Sequence, residues 1–349
     1  MKNLVSMMLL AVLLLSGCVE EGFFEEEEEK TTVFRAALVA EEDVRMRTPG
    51  DNSSHHLQAQ GESSDYAGLA WATAETVVGT NHFMLKFIVT MHYITNLPPA
   101  VAEEDLHIWE GTHEDLFIRV SVERSDDPQG TRFDYEMEGR YAEDGEDGLV
   151  TILDGYVVRK PGWSPQNRIG FGIVRHDYDN LNYLQPEREI SGFSSVGFRR
   201  AGGIHQLEVR ALDIVTPAYP DYPERAAYRY FIRGDHSGEL LWQGRADWKG
   251  DGEPLEDVAA HVSWNSDFSG AGLARVSGGT LEVDYWNIAE CWDGSFLRSY
   301  GKLEAPNANW SDGDDASCSP TDPDGLAVPI EADLPGDEAV IPQAHPDEQ

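Results

Sequence analysis

From residue 116 onwards, apolar and polar residues of this 349-residue chain alternate with a period of two. In residues 116–123 the apolar positions are Leu116, Ile118, Val120 and Val122. Roughly ten short segments of this kind follow one another up to residue 286, and glycine or Asp/Asn clusters separate most of them. Because successive side chains of a strand point to opposite faces, the pattern predicts an antiparallel sheet and a mainly β fold.

Roughly ten strands are too many for a flat open sheet, so we expect the sheet to curl into a barrel, a half-barrel or a sandwich. Aromatic residues crowd its second half, where they would either fill the curled sheet or line a concave apolar face that holds a ligand. Tyr228 and Tyr230 share one face by the two-residue period. The candidate ligand-binding residues are Tyr228, Tyr230, Trp242 and Trp264.

One segment ahead of the sheet has helical spacing instead. Its apolar residues are Phe83, Met84, Phe87, Ile88, Met91 and Ile94. They predict one long N-terminal helix over residues 66–96, which ends at Pro98-Pro99 and packs on the sheet through its apolar face. β-branched residues in the same segment leave a strand as the competing interpretation.

Acidic residues dominate the chain, with 63 Asp and Glu against 26 Lys and Arg and a net charge of −37. Such a surface repels nucleic acid, so we exclude a nucleic-acid partner. The run Glu25–Glu29 repels itself and predicts an acidic tether and linker over residues 18–65. Residues 66–318 form the predicted helix-plus-sheet domain, and residues 319–349 are predicted to be a disordered acidic tail.

The N-terminal segment predicts the location of the protein. A single cation, Lys2, precedes the apolar stretch Leu4–Leu15, which is too short to span a bilayer. The stretch ends in Leu15-Ser16-Gly17-Cys18, which resembles the lipobox of bacterial lipoproteins. The resemblance implies that residues 1–17 are a signal peptide, and that Cys18 becomes a diacylated N-terminus anchored to a membrane. Because no aspartate follows Cys18, we expect the outer membrane.

Two further cysteines remain, Cys291 and Cys318. An exported chain meets an oxidising compartment, where a remaining pair of cysteines predicts a disulfide. A metal site is not predicted, because the stretch between them contains no histidine.

Several motifs along the chain are similar to those of an uncharacterised family of myxobacterial lipoproteins. They are the helix end Leu97-Pro98-Pro99, the strand Phe133-Asp134-Tyr135-Glu136-Met137-Glu138-Gly139-Arg140, the run Glu290-Cys291-Trp292-Asp293, and the acidic loop Asp312-Gly313-Asp314-Asp315 ahead of Cys318. The resemblance implies the same architecture and the same disulfide. It implies no activity, because the family has none assigned.

Catalytic motifs are weak in this sequence. Gly192-Phe193-Ser194-Ser195-Val196 lacks the last glycine of a serine-hydrolase elbow, and His-Glu-x-x-His is missing. His176 stands beside Asp177 and near Asp179, and paired carboxylates serve acid–base chemistry in some hydrolases.

We therefore expect a non-enzymatic binding or interaction role in the envelope, without a cofactor. The expected partner is an apolar small molecule or another envelope protein. A hydrolase with a carboxylate-based site is the alternative.

Overall fold

The computed structural model describes residues 24–47, 66–113, 115–186, 189–216, 219–246, 255–314 and 341–343. Fifteen strands form one antiparallel sheet, in which each strand pairs with its neighbours in the chain, so the predicted mainly β architecture is confirmed. The strands are β1 (Val101–Ala102), β2 (Leu106–His113), β3 (Leu116–Asp127), β4 (Gly130–Tyr141), β5 (Val150–Arg159), β6 (Gly170–Asp177), β7 (Ser191–Ala201), β8 (Ile204–Thr216), β9 (Tyr219–Ile232), β10 (Gly238–Ala246), β11 (Glu256–Trp264), β12 (Gly270–Ser277), β13 (Tyr285–Trp292), β14 (Arg298–Ala305) and β15 (Ala308–Gly313). The helices are α1 (Phe24–Ala37), α2 (Glu41–Val44), α3 (Gly68–Thr95) and α4 (Tyr178–Leu184), and Glu146–Gly148 forms a 3₁₀ turn.

The sheet is open at both edges. Within the described ranges, the outermost strands β1 and β15 do not pair with each other, so neither a closed barrel nor a two-sheet sandwich is present there. The prediction of roughly ten strands was also too low. β15 shows why, because it is exposed along its whole length and has no buried face to produce a periodic pattern.

Helix α3 packs on strands near both edges of the sheet. It has 28 residues and covers the stretch where the sequence predicts a helix over residues 66–96. It contacts β2 and β3 on one side and β11, β12 and β13 on the other. A further layer of chain separates it from the middle strands, so the sheet curves around the helix.

Residues 31–47, called the inner segment below, form this further layer. Asn81 of α3 donates to the carbonyl oxygen of Met46 at 2.7 Å, while Tyr230 of β9 accepts the N–H of Arg47 at 2.8 Å on the other side. Six of its apolar side chains are at most 1 % exposed, and these are Phe34, Ala37, Leu38, Val39, Val44 and Met46, whereas Val33 is exposed.

The predicted acidic tether over residues 18–65 is wrong where the structure describes it. Residues Phe24–Ala37 are helical, and the inner segment is part of the core. Burial of the apolar residues that follow the glutamate run outweighs the repulsion within it. The predicted tail over residues 319–349 lies almost wholly outside the described residues, although Arg199 donates to the carbonyl oxygen of Pro342 at 2.6 Å.

The two faces of the sheet have different environments. We call the face that packs against the inner segment and α3 the inner face, and the opposite one the outer face. Along β4, Phe133, Tyr135 and Met137 are buried on the inner face, while Asp134 and Glu136 alternate with them on the outer face. This alternation decides which residues line each candidate site.

Candidate functional site

The described residues enclose a groove of about 720 Å³ on the outer face between β2 and β8. Carboxylates predominate among its charged side chains, which are Glu123, Asp134, Glu136, Asp154, Asp177 and Arg175. Phe193 adds an aromatic ring that is 47 % exposed. The groove is therefore open to solvent, largely acidic and apolar in one patch.

Two pairs of like charges face each other across neighbouring strands in this groove. Glu123 of β3 lies directly opposite Asp134 of β4, and Glu136 of β4 lies opposite Asp154 of β5. Directly opposed like charges destabilise a sheet, because their Cβ atoms are only about 4.5–5.5 Å apart. Such opposed carboxylates lower the stability of the sheet unless a positive charge compensates them.

Each like-charged pair has one arginine partner. Arg175 donates to the Asp154 carboxylate at 2.6 Å, and Arg132 binds Asp134 through two nitrogens. Glu136 accepts a hydrogen bond from the Thr151 hydroxyl at 2.7 Å. One carboxylate of each pair thus remains without a guanidinium partner among the described residues, which gives the groove a negative potential.

Beneath the groove lies a buried cluster of His176, Ser194 and Tyr178. The His176 Nδ1 atom and the Tyr178 hydroxyl each lie 3.0 Å from the Ser194 Oγ atom. All three side chains are at most 4 % exposed. Burial lowers the pKa of His176 to about 3 and raises the pKa of Tyr178 far above its ordinary value, so both groups are neutral.

The acid–base group that the sequence suggested at residues 176–179 does not assemble. His176 points to the inner face, and Asp177 instead accepts the Asn180 N–H at 2.8 Å as the N-cap of α4. Asp179 accepts the N–H of Gly192 at 2.8 Å. Ser194 lies within β7 rather than on a strand-to-helix turn.

The structure places the four candidate aromatic residues on the inner face. Tyr228 lies opposite Trp242, and the Tyr230 and Trp264 rings are 6.4 Å apart between centroids. All four belong to or pack against the hydrophobic core. Their common face agrees with the two-residue period, and their role in binding a ligand stays a prediction.

A second polar cluster, which the sequence reasoning missed, lies on the inner face around Asp43. The Asp43 side chain is fully buried and pairs with Arg159 at 2.8 Å and Arg168 at 2.7 Å. His205 Nε2 lies 2.8 Å from the Asp43 carbonyl oxygen. Burial alone would raise the pKa of the Asp43 carboxyl, but the charges and hydrogen bonds of the two arginines hold it well below its ordinary value.

The run Glu290-Cys291-Trp292-Asp293 has structural roles. Glu290 accepts the N–H of Leu69 at 2.7 Å and so caps helix α3. The indole N–H of Trp292 donates to the Phe268 carbonyl oxygen at 2.9 Å. Cys291 is 1 % exposed and disulfide-bonded, and its partner lies outside the described residues, so the pairing with Cys318 stays a prediction.

Other features point to no specific class of protein. The part of the chain that the structure describes contains no helix long and apolar enough to cross a membrane. The same residues present no group of three or more His, Cys, Asp or Glu placed to hold a metal ion. No family model, no curated protein and no solved structure matches this chain.

Proposed function

We propose that this protein is a lipid-anchored envelope protein with a non-enzymatic binding role, and that the outer-face groove binds a positively charged ligand. The opposed carboxylates of Glu123 and Asp134, and of Glu136 and Asp154, carry the proposal. A cation between such residues converts their repulsion into attraction, and a carboxylate bonded to a cation forms one of the stronger hydrogen bonds in proteins. The exposed ring of Phe193 offers a surface to the aliphatic part of an organic amine.

A hydrolase remains the second candidate, with one observation in its favour. Glu136 and Asp154 lie directly opposite each other on neighbouring strands, and retaining glycosidases use a pair of carboxylates about 5–5.5 Å apart. However, Asp154 is bonded to Arg175 and Glu136 to Thr151. Since His176 is also buried and neutral, binding explains the arrangement with fewer assumptions.

A Glu123→Gln/Glu136→Gln double variant is expected to bind the triamine spermidine about tenfold or more weakly than the wild-type protein. The changes remove the one carboxylate of each opposed pair that has no arginine partner among the described residues, and a hydrogen bond to a charged group contributes about 1.5–3 kcal/mol. Isothermal titration calorimetry on the mature protein measures both affinity and stoichiometry, with one spermidine per chain expected for the wild type.

The matched control is a double variant with the same loss of charge outside the groove, Glu282→Gln/Glu103→Gln, at two exposed positions. This control is expected to bind as the wild type does. Equal weakening in both double variants would show that only the net charge of −37 attracts the amine, and the groove would not be its site.

The lipid anchor is part of the same proposal, although Leu15-Ser16-Gly17-Cys18 lies outside the described residues. Its support is the short apolar stretch that ends in this lipobox-like run, and the absence of aspartate after Cys18 favours the outer membrane. Two or more acyl chains give stable anchoring, since each buried methylene contributes about 0.8 kcal/mol.

A Cys18→Ser variant, expressed in a bacterium that processes lipoproteins, is expected to leave the membrane fraction or to remain uncleaved. Serine has no thiol to accept the diacylglyceryl group, so the acyl chains are lost. Fractionation with detergent extraction, together with intact-mass analysis, measures both outcomes. A Cys18→Ser protein that is still cleaved and still requires detergent would rule out the anchor.

A further inference from the structure

The inner segment is held in the curled sheet in the manner of a bound peptide. Several of its backbone carbonyl oxygens accept hydrogen bonds from side chains in distant parts of the chain, rather than from a paired strand. Arg159 donates to Ala37 at 2.8 Å and to Leu38 at 2.6 Å, and Arg200 donates to Glu42 at 2.8 Å. Side chains of the sheet that bind backbone groups in this way do not require the inner segment to be covalently connected to the sheet.

The chemical character of the inner segment is that of an anionic amphiphile. The segment has a single buried carboxylate, Asp43, and the fully buried apolar side chains of Leu38, Val44 and Met46. The sheet supplies the complementary partner. Two guanidinium groups, of Arg159 and Arg168, meet the carboxylate, and their planar forks match a carboxylate or a phosphate.

The arginines are the unusual part of this site. Only 26 of the 349 residues are Lys or Arg, yet Arg159, Arg168 and Arg200 all converge on the inner segment. Buried ion pairs contribute little net stability, because desolvation offsets their attraction, and apolar residues of similar volume often replace them without loss. Recognition of an anion explains the burial of Arg159 and Arg168 better than stability does.

We propose that the inner face is a binding site for a single-chain anionic amphiphile. Its head group occupies the position of the Asp43 carboxylate between Arg159 and Arg168. Its apolar chain lies where Leu38, Val44 and Met46 now pack, near Tyr230 on the same face. This site is separate from the outer-face groove and takes a ligand of opposite charge.

In the absence of the amphiphile, the inner segment occupies the site. It competes as an intramolecular ligand, because its covalent connection gives it a high effective concentration. The apparent affinity of an external ligand is its intrinsic affinity multiplied by the fraction of molecules in which the site is vacant. Weakening the inner segment should therefore strengthen binding of the amphiphile.

The experiment compares the mature protein with its Asp43→Asn and Glu42→Gln variants. The probe is 11-(dansylamino)undecanoic acid, and its methyl ester has the same chain without the charge. Asp43→Asn removes the charge that neutralises the two arginines. Glu42 is exposed and binds Arg200 only through its backbone carbonyl, which the substitution keeps, so Glu42→Gln serves as the matched control. We expect Asp43→Asn to bind one acid probe per chain, about tenfold or more tightly than the wild type. Glu42→Gln is expected to match the wild type.

Two further arms identify the ligand class. The methyl ester is expected to show no gain in Asp43→Asn, because it offers no anion to the arginines. Dodecyl phosphate is expected to displace the acid probe, whereas inorganic phosphate, which lacks the chain, is not. An equal gain for the ester, or displacement by inorganic phosphate alone, would overturn the proposal. So would identical probe affinities in all three proteins.

If circular dichroism shows that Asp43→Asn does not fold, a second variant replaces it in the experiment. Leu38→Ala weakens the packing of the inner segment and leaves the charges in place. It is expected to raise the affinity for the acid probe in the same direction. Lack of any gain in a folded Leu38→Ala protein would likewise contradict competition by the inner segment.

Discussion

An Asp43→Ala variant is expected to lose about 3–5 kcal/mol of unfolding free energy. The substitution leaves the guanidinium groups of Arg159 and Arg168 inside the protein without their carboxylate, and their side chains are only 3 % and 10 % exposed. Urea unfolding at neutral pH is followed by tryptophan fluorescence. A shift of the urea midpoint, with the dependence of the unfolding free energy on urea concentration unchanged, measures the loss. The expected effect is a large part of the stability of a typical domain.

The control for this measurement is Asp105→Ala. Asp105 also pairs with an arginine, Arg124, at 2.8 Å, but its side chain is 61 % exposed. Water screens such a pair, so the variant is expected to lose less than about 1 kcal/mol. Similar losses in the two variants would mean that the buried network around Asp43 does not hold the inner segment in place.

The alternation of residues predicted much of the sheet, because one face of most strands is buried. In β4 the buried positions follow the two-residue period from Phe133 to Met137. The same period placed Tyr228 and Tyr230 on one face. Strands that do not bury one face produced no such pattern, and β15 was missed for that reason.

The inner segment was not predictable from local patterns. The structure that it adopts depends on partners far away in the sequence, since Asp43 lies 116 residues from Arg159 and 125 from Arg168. Read locally, the glutamates before it indicate an extended chain. The short apolar run around Val39 was the available signal, and burial on a sheet formed later in the chain decides its structure.

The groove was predictable only in part. The turn after β4 places residues 133–138 and 149–158 on neighbouring strands, so the outward position of Asp134 and Glu136 followed from the period. Which carboxylates face each other depends on the register, and a bulge between Met137 and Glu138 shifts it. Sequence spacing gives neither this bulge nor the shape of the groove.

Acidification from pH 7 to pH 4 is expected to destabilise the protein by several kcal/mol, and buried histidines supply the reason. Burial lowers the pKa of His176 to about 3. Burial, followed by the charge of Arg200, lowers the pKa of His205 to about 4. In the unfolded chain both groups take up a proton near the ordinary value of 6.5, so the unfolded state binds more protons below that pH. Stability is therefore lost as the pH falls from about 6.5 towards these folded-state values.

A His176→Asn variant is expected to flatten this pH dependence. Asparagine is still able to hydrogen-bond the Ser194 hydroxyl, but it takes up no proton in the unfolded chain. Urea midpoints at pH 7, 5.5 and 4.5 measure the slope for the wild type and the variant. His261→Asn is the control, because its ring is 21 % exposed and bonds Glu239 at the surface. If His176→Asn loses stability with falling pH as steeply as His261→Asn does, the buried histidine is not the source of the acid sensitivity, and the carboxylates of this acidic chain must account for it.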